Sequence, residues 1–301
     1  MEQKNLLKYL RVSIITECNK KCWYCFSEGI HEKKEMMVDV DSFSWIVCIL
    51  KEHFGTTNVR FTGGEPLLNR NLVHLIREAQ KIGIRNIGIT TNGTDISEEF
   101  CALYDAGAKS FAIHITDIDN ENWNLKRFVV PNLKREGIRY NIVVTKRNYE
   151  RVVEFIKFAS ERKLDLLLLD LLENKHVTAI QHSLEYFDLG ILSEELSASN
   201  YDKSIQNENC VVFYNENHNI KLVRRYSKLG GFRYCTQKLD MHPVLLTSDF
   251  NFRLCNHFGI KEIETKKIVE KRNEELFIKK IKEVLYELDQ CKECSNKFVL
   301  N

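Results

Sequence analysis

Short apolar runs alternate with amphipathic stretches over the first 175 or so residues, and this alternation restricts the fold more than any other feature of the chain. The runs 10–16, 58–62, 86–91, 110–115, 139–145 and 164–171 are rich in Ile, Val and Leu. Near-continuous apolar character of this kind belongs to strands buried on both faces. Helical periodicity fills the gaps at 41–53, 72–81, 97–105, 120–135 and 149–162, and Gly83, Gly107 and Gly137 follow three of these segments. Glycine in that place supplies the left-handed residue that closes a helix. Six βα units in series predict an α/β fold with a parallel sheet and right-handed crossovers. Six are too few for a closed eight-stranded barrel, so the expectation is a partial (β/α)6 TIM-like barrel. In such folds the chemistry gathers at the carboxyl ends of the strands.

The 301 residues leave room for a small C-terminal domain after the barrel. Residues 176–209 are polar and irregular and read as a connection with space for one last helix. From Cys210 a smaller region begins, with the strand-like HPVLLTSDFNFRLC and a charged helix over 264–288. The expected boundaries are therefore 1–209 and 210–301. A net charge of +2 gives no reason to invoke nucleic acid or an anionic membrane as partner. The opening MEQKNLLKYLRV lacks the apolar run of an export signal, and LLLLDLL is too short to span a bilayer. The expected location is the cytoplasm. There, ten cysteines suggest metal rather than disulfides. Cys48 and Cys101 fall in helical patterns and read as small apolar core residues; Cys210 is left open.

The distinctive polar motifs all follow strands directly. TECNKKCWYCF, with Cys18, Cys22 and Cys25, follows the first strand; Gly63-Gly64-Glu65-Pro66 follows the second; Thr91-Asn92-Gly93-Thr94 closes the third; His114 ends the fourth. They should meet at one mouth of the barrel. Four thiolates normally hold a 4Fe-4S cluster. Three leave one iron without a protein ligand, as a catalytic metal keeps one position open. The alternative is a zinc site completed by a histidine such as His31.

Cys18-x3-Cys22-x2-Cys25, with an aromatic residue at Tyr24, resembles the signature of radical S-adenosylmethionine (SAM) enzymes. YLRVSIITECNKKCWYCFSEG, VRFTGGEPLLNRNL and ITTNGT are similar in order and spacing to the branch that contains the molybdenum-cofactor GTP cyclases. This resemblance covers roughly residues 9–165. It implies that Cys18, Cys22 and Cys25 hold a 4Fe-4S cluster whose free iron binds SAM. Reductive cleavage of SAM would give a 5′-deoxyadenosyl radical that takes hydrogen from a substrate. A flavodoxin- or ferredoxin-type protein would supply the electron. Gly63 and Gly64 would let backbone approach a ligand, and Glu65 would accept from the SAM ammonium. Thr91 and Asn92 would face its carboxylate or ribose, and Tyr24 its adenine. His114 is either a SAM or substrate contact or a packed core histidine.

A second group, Cys235-x19-Cys255 and then Cys291-x2-Cys294, offers four thiolates. Its order of cysteine, hairpin, cysteine, helix and closing pair resembles the auxiliary-cluster region called a twitch domain, with zinc as the rival metal. Ser248, Asp249 and Asn251 are the expected turn residues of the hairpin. The chain departs here from the GTP cyclases. Arg11 and Arg70 fit their general pattern. However, no arginine follows Cys235 in its loop TQKLDMHPV, and the chain ends CSNKFVLN rather than in a double glycine. A fully ligated second cluster suits an electron acceptor in a biosynthetic oxidation or rearrangement of a small molecule. Maturation of a ribosomal peptide, GTP cyclisation, and a non-catalytic iron–sulfur carrier or sensor are the alternatives. The segment from Lys221 to Tyr234, with Arg224, Arg225, Lys228 and Arg233, reads as a solvated basic surface, or else as a hold for an anionic substrate.

Overall fold

A computed structural model of the chain describes residues 7–25, 36–94, 96–116, 118, 137–172, 177–207, 210–216, 218–223, 226–227, 231–232, 244–253 and 262–290. In chain order the first elements are β1 (Tyr9–Ser13), α1 (Val40–Phe54), β2 (Asn58–Thr62), α2 (Leu72–Ile82), β3 (Asn86–Thr91), α3 (Ile96–Ala106) and β4 (Ser110–His114). They continue with β5 (Ile138–Val144), α4 (Tyr149–Arg162), β6 (Asp165–Asp170), α5 (Ala179–Glu185), α6 (Leu189–Ser197), β7 (Asp202–Asn207), β8 (Cys210–Tyr214) and β9 (Asn219–Val223). The last are β10 (Tyr226–Ser227), β11 (Gly231–Phe232), β12 (Val244–Leu246), β13 (Phe252–Arg253), β14 (Glu262–Ile263), α7 (Lys266–Glu270) and α8 (Glu274–Gln290). All six expected strands of the βα series are present, as are the four expected helices that fall among the described residues. The segment 120–135 lies outside them.

The chain divides into two compact units, Met1–Lys21 with Cys25–Phe111 and Thr236–Lys292, and Cys22–Tyr24 with Ala112–Cys235 and Glu293–Asn301. In the first unit the sheet order is β14-β13-β12-β1-β2-β3, followed by the start of β4. β1, β2 and β3 run parallel with matched ends, Tyr9 opposite Asn58 through Ser13 opposite Thr62, and Asn58 opposite Asn86 through Phe61 opposite Ile89. Parallel strands in register must release their following loops at the same edge. Residues 14–21, 63–68 and 92–94 therefore emerge side by side.

The core of this unit follows from helical spacing. On α1, Phe43, Ile46, Val47, Leu50 and Phe54 form the buried stripe, each side chain contributing roughly 1.5–3 kcal/mol by burial. Phe43 packs on Phe61 of β2 at 5.5 Å between ring centroids, and Trp45 on Phe277 of α8 at 5.1 Å. Asp39 starts α1 by accepting from the Ser42 N–H at 2.7 Å, and Gly55 ends it at φ 75°. Cys48 and Cys101 correct the sequence reading. Both sit on helices, but Cys48 is only half-buried and Cys101 is exposed, because each lies beside rather than on its helix's apolar stripe. Cys210 is buried on β8.

In the second unit the order runs from the end of β4 through β5-β6-β9-β8-β7. β5 and β6 are parallel from Arg139 opposite Asp165 to Val144 opposite Asp170. Residues 177–207 are more than a connection. They carry two short helices and β7, and the strands after them extend the sheet, with β9 parallel to β6 from Leu166 opposite Ile220 to Leu169 opposite Val223. The sequence hid this because β7, DKSIQN, has a strand neighbour on one side only among the described residues and needs no apolar run. Another difference lies in the first unit, where β12 joins β1 in parallel from Leu10 opposite Val244 to Val12 opposite Leu246. The expected hairpin is present, with Leu245 opposite Arg253 and Leu246 opposite Phe252. No helix among the described residues is long and apolar enough to cross a membrane.

Candidate active site around the three-cysteine loop

The loop after β1 is fastened to the two loops beside it by groups that lie far apart in the sequence. At its base, the Ile14 N–H donates to the Thr62 carbonyl at 2.9 Å and the Asn69 amide donates to the Ile14 carbonyl at 2.8 Å. The Thr16 N–H donates to the Met36 carbonyl at 3.1 Å, and the Thr16 hydroxyl accepts from the Met36 N–H at 3.0 Å. The Gly64 and Glu65 N–H groups then donate to the carbonyls of Ile15 and Glu17, at 2.7 and 2.8 Å. This explains the double glycine. A Cβ on Gly63 (φ 139°) would lie 2.4 Å from the Ile15 carbonyl oxygen, and one on Gly64 only 1.9 Å from that of Glu17. The close backbone approach allowed by these glycines is to the cysteine loop of the chain itself.

Glu65 ties this pair of loops to the end of β3. Its side chain is only 1% exposed. One carboxylate oxygen accepts from the Thr91 hydroxyl at 2.6 Å and the Leu67 N–H at 3.1 Å, and the other from the Asn92 N–H at 2.7 Å. Burial raises the Glu65 pKa, and the three donors oppose that rise by favouring the ionised form. The Thr91 hydroxyl also accepts from the Gly93 N–H, and the Asn92 side-chain carbonyl from the Thr94 N–H, both at 3.0 Å. The Asn92 amide reaches back to the loop, donating to the Asn19 side-chain carbonyl at 2.7 Å, with its nitrogen 4.0 Å from Cys18 Sγ. Partial burial pushes the Cys18 thiol up; the Lys20 N–H and Asn92 amide work against that, while the Glu65 carboxylate and Cys25 add to it. Gly63, Gly64, Glu65, Thr91 and Asn92, all singled out in the sequence, thus fasten the double-glycine loop and the end of β3 to the loop of Cys18 within the first unit. Asn19, Asn69 and Thr16 escaped the sequence reading. Each is an ordinary loop residue whose partner lies 20 to 73 positions away.

Tyr24 and His114 belong to the second unit, where their rings lie 6.0 Å apart and tilted by 33°. Trp23 meets Tyr24 edge-on at 5.4 Å, and both pack against Val143, Leu171 and Val177. Tyr24 therefore has an apolar wall behind it, and His114 sits beside that aromatic pair at the end of β4. Arg11 donates to the Thr62 hydroxyl at 3.4 Å. Cys235, Cys255, Cys291 and Cys294, together with Arg224, Arg225, Lys228 and Arg233, lie outside the described residues.

The donor set suits an iron–sulfur cluster. Cys18 and Cys25 are exposed, Cys22 is half-buried, and all three are thiols rather than halves of disulfides. Among the described residues, no three His, Cys, Asp or Glu side chains converge as the ligands of a single ion would. A cube makes no such demand, since each thiolate binds a different iron. The base of the loop, residues 14–17, is held by backbone and side-chain hydrogen bonds that do not involve the thiols.

Comparison with known proteins agrees with this geometry. The model of the Radical SAM superfamily matches residues 12–187. A probable GTP 3′,8-cyclase of Sulfolobus acidocaldarius is 33% identical over 171 residues, covering 53% of this chain and 54% of the relative. The chain spans about half the length of the curated relatives it matches in this way. A probable GTP 3′,8-cyclase of Sulfurisphaera tokodaii matches further, at 26% identity over 85% of this chain and 83% of its own. Among solved structures, SuiB of Streptococcus suis bound to S-adenosylmethionine superposes with a TM-score of 0.57 at 14% identity, over 89% of this chain and 65% of that one. A polyhistidine-tagged anSMEcpe with bound AdoMet gives 0.54 at 16% identity, over 83% and 74%. At such identities the likeness shows a shared fold, in keeping with the expected open, partial barrel. The matched stretch begins inside β1, ends just past α5 and takes in every residue of the Glu65 network; the chain belongs to the radical SAM superfamily.

Proposed function

We propose that this protein is a radical SAM enzyme that acts on a small molecule in a biosynthetic oxidation or rearrangement. The observation that carries the reading is the Glu65–Thr91–Asn92–Asn19 network, which ties the double-glycine loop and the Thr91-Asn92 loop to the loop of Cys18. Cys18, Cys22 and Cys25 would hold a 4Fe-4S cluster. With SAM bound, that cluster supplies one-electron cleavage of the sulfonium and so a carbon radical able to take a hydrogen atom. The chain's own part is placement. Glu65, already holding three donors, retains acceptor capacity for an ammonium group. Thr91 and Asn92 set the adjoining polar edge, and Tyr24 and His114 offer ring surface for a base. A flavodoxin or ferredoxin is the proposed electron donor.

Cys235, Cys255, Cys291 and Cys294 are proposed to hold a second 4Fe-4S cluster that accepts the electron of the substrate radical. The elements expected between these cysteines support this: the hairpin of β12 and β13 ends two residues before Cys255, and α8 runs to the residue before Cys291. A second reading, GTP cyclisation, is favoured by the names of the relatives. The lack of arginine in the loop after Cys235 speaks against it, as does the half-length match to several of those relatives.

The test is anaerobic reconstitution followed by incubation with SAM and dithionite. About eight irons per chain, as two four-iron clusters require, and reductant-dependent 5′-deoxyadenosine are the expected results. Zinc in place of iron, or no SAM cleavage with both clusters assembled, overturns the proposal. Formation of a cyclised nucleotide from GTP would replace the small-molecule reading with the second one.

A further inference from the structure

Trp23 stands between two proposed cluster ligands, Cys22 and Cys25, and the reading above gives it no task. Among the described residues its buried indole N–H has no hydrogen-bond partner, while the ring makes several contacts. The ring meets that of Tyr24 in a T-shaped pair, and the Val143–Leu171–Val177 cluster packs against it. The guanidinium carbon of Arg147 lies 5.2 Å from the ring centroid. That distance is within the range of a cation–π attraction.

Arg147 is itself held in position. Its Nε donates to a Glu185 carboxylate oxygen at 2.6 Å, and a terminal nitrogen reaches the same oxygen at 2.5 Å. The Glu185 side chain is 13% exposed, whereas that of Arg147 is 56% exposed. The anion is thus the fixed partner and the cation the reaching one. The turn carrying Arg147 is pinned at both ends. Asn148 accepts from the Thr145 N–H at 2.9 Å and donates to the Val143 carbonyl at 2.9 Å. The Lys146 N–H donates to the Glu185 carbonyl at 2.9 Å, and Thr145 bridges to Tyr186. So rigid a mount for an arginine at a half-exposed surface is unexplained by the stability of the turn, which the backbone and Asn148 already secure.

We propose that Arg147, braced by Glu185, is a positioning residue that clamps Trp23 and thereby holds the neighbouring Cys22 in the position that retains the cluster. The proposal rests on the cluster assignment above, but the clamp exists in the metal-free chain and can be measured there. The full-length protein is prepared with 5-fluorotryptophan, and its three tryptophan signals are assigned by Trp23→Phe, Trp45→Phe and Trp123→Phe. In the metal-free protein, Arg147→Met should move the Trp23 fluorine signal and leave that of Trp45 in place. Glu185→Gln should move it part of the way, and Arg147→Lys should restore most of the original position. In the reconstituted protein, Arg147→Met should speed iron loss to an excess chelator about two- to fivefold, the factor set by one exposed cation–π contact. Arg147→Lys should again recover most of the loss. An unmoved Trp23 signal in Arg147→Met overturns the clamp. So does unchanged iron loss when that signal has moved. If the unaltered protein takes up no iron, the cluster assignment fails instead, and the fluorine signals still decide whether Arg147 holds Trp23.

Discussion

Two polar networks in the first unit are alike in composition and opposite in construction. The one at Cys18 joins Glu65 to Thr91 and Asn92, and Asn92 to Asn19, across separations of 26, 27 and 73 residues. The one at the hairpin before Cys255 joins Thr247, Asp249, Asn251, Arg253, Glu262 and Thr265, through hydrogen bonds that span at most 15 residues among those described. There the Asn251 side-chain carbonyl accepts from the N–H groups of Thr265 and Lys266, and its amide donates to Asp249 and Glu262. A local network forms wherever its hairpin forms. A distributed network exists only when three parallel strands have found their register. The first site is therefore the one whose chemistry depends on the whole sheet, and damage to it should reach function as well as stability.

The largest effect expected from this contrast is at the cysteines. Replacing Cys18, Cys22 or Cys25 by Ala should abolish dithionite-dependent 5′-deoxyadenosine formation, whereas Cys291→Ala should leave part of it, both measured by chromatography of the quenched reaction. Equal losses from the two groups would erase the proposed division between a reactive and an accepting cluster. Next comes Glu65→Ala. It leaves the buried Thr91 hydroxyl and the Leu67 and Asn92 N–H groups without their acceptor, at a cost of about 2–5 kcal/mol. Urea unfolding of the metal-free protein reads that cost, and iron uptake at the first site should fall with it.

Gly64→Ala places a methyl group where the Glu17 carbonyl stands, at a cost of about 1–3 kcal/mol. Its iron content should drop further than its stability, because the displaced segment carries Cys18. Asn251→Ala should lower stability by about 1–2 kcal/mol and leave SAM cleavage intact. A strong loss of cleavage in this variant would show that the two networks are coupled.

The smallest expected effect is a pH dependence. His218 donates from Nδ1 to the Leu164 carbonyl at 2.9 Å and accepts from the Tyr201 hydroxyl at Nε2, 2.7 Å away. This pairing suits the neutral ring, and burial holds its pKa below the usual 6.5. The unfolded chain therefore takes up the proton first as pH falls. The stabilisation from His218 is present above pH 6.5 and is lost as pH drops through its lower folded value. Urea midpoints of the parent chain should fall over that interval, and those of His218→Phe should fall less.

The sequence by itself determined the strand–helix series, the three-cysteine loop with its zinc and iron alternatives, and the hairpin before Cys255. Burial periodicity, helix-closing glycines and turn residues act over a few positions, so they can be read in order along the chain. It missed what has no local signature. β7 is polar because a strand with one neighbour may be, and the parallel pairing of β12 with β1 joins residues from opposite ends of the chain. Only the tertiary structure decided that Gly63 and Gly64 admit the backbone of Ile15 and Glu17, that Glu65 holds Thr91 and Asn92, and that Arg147 lies over Trp23. Each of those contacts needs two segments placed to within an ångström. That placement comes from strand register and core packing, which no single stretch of sequence contains.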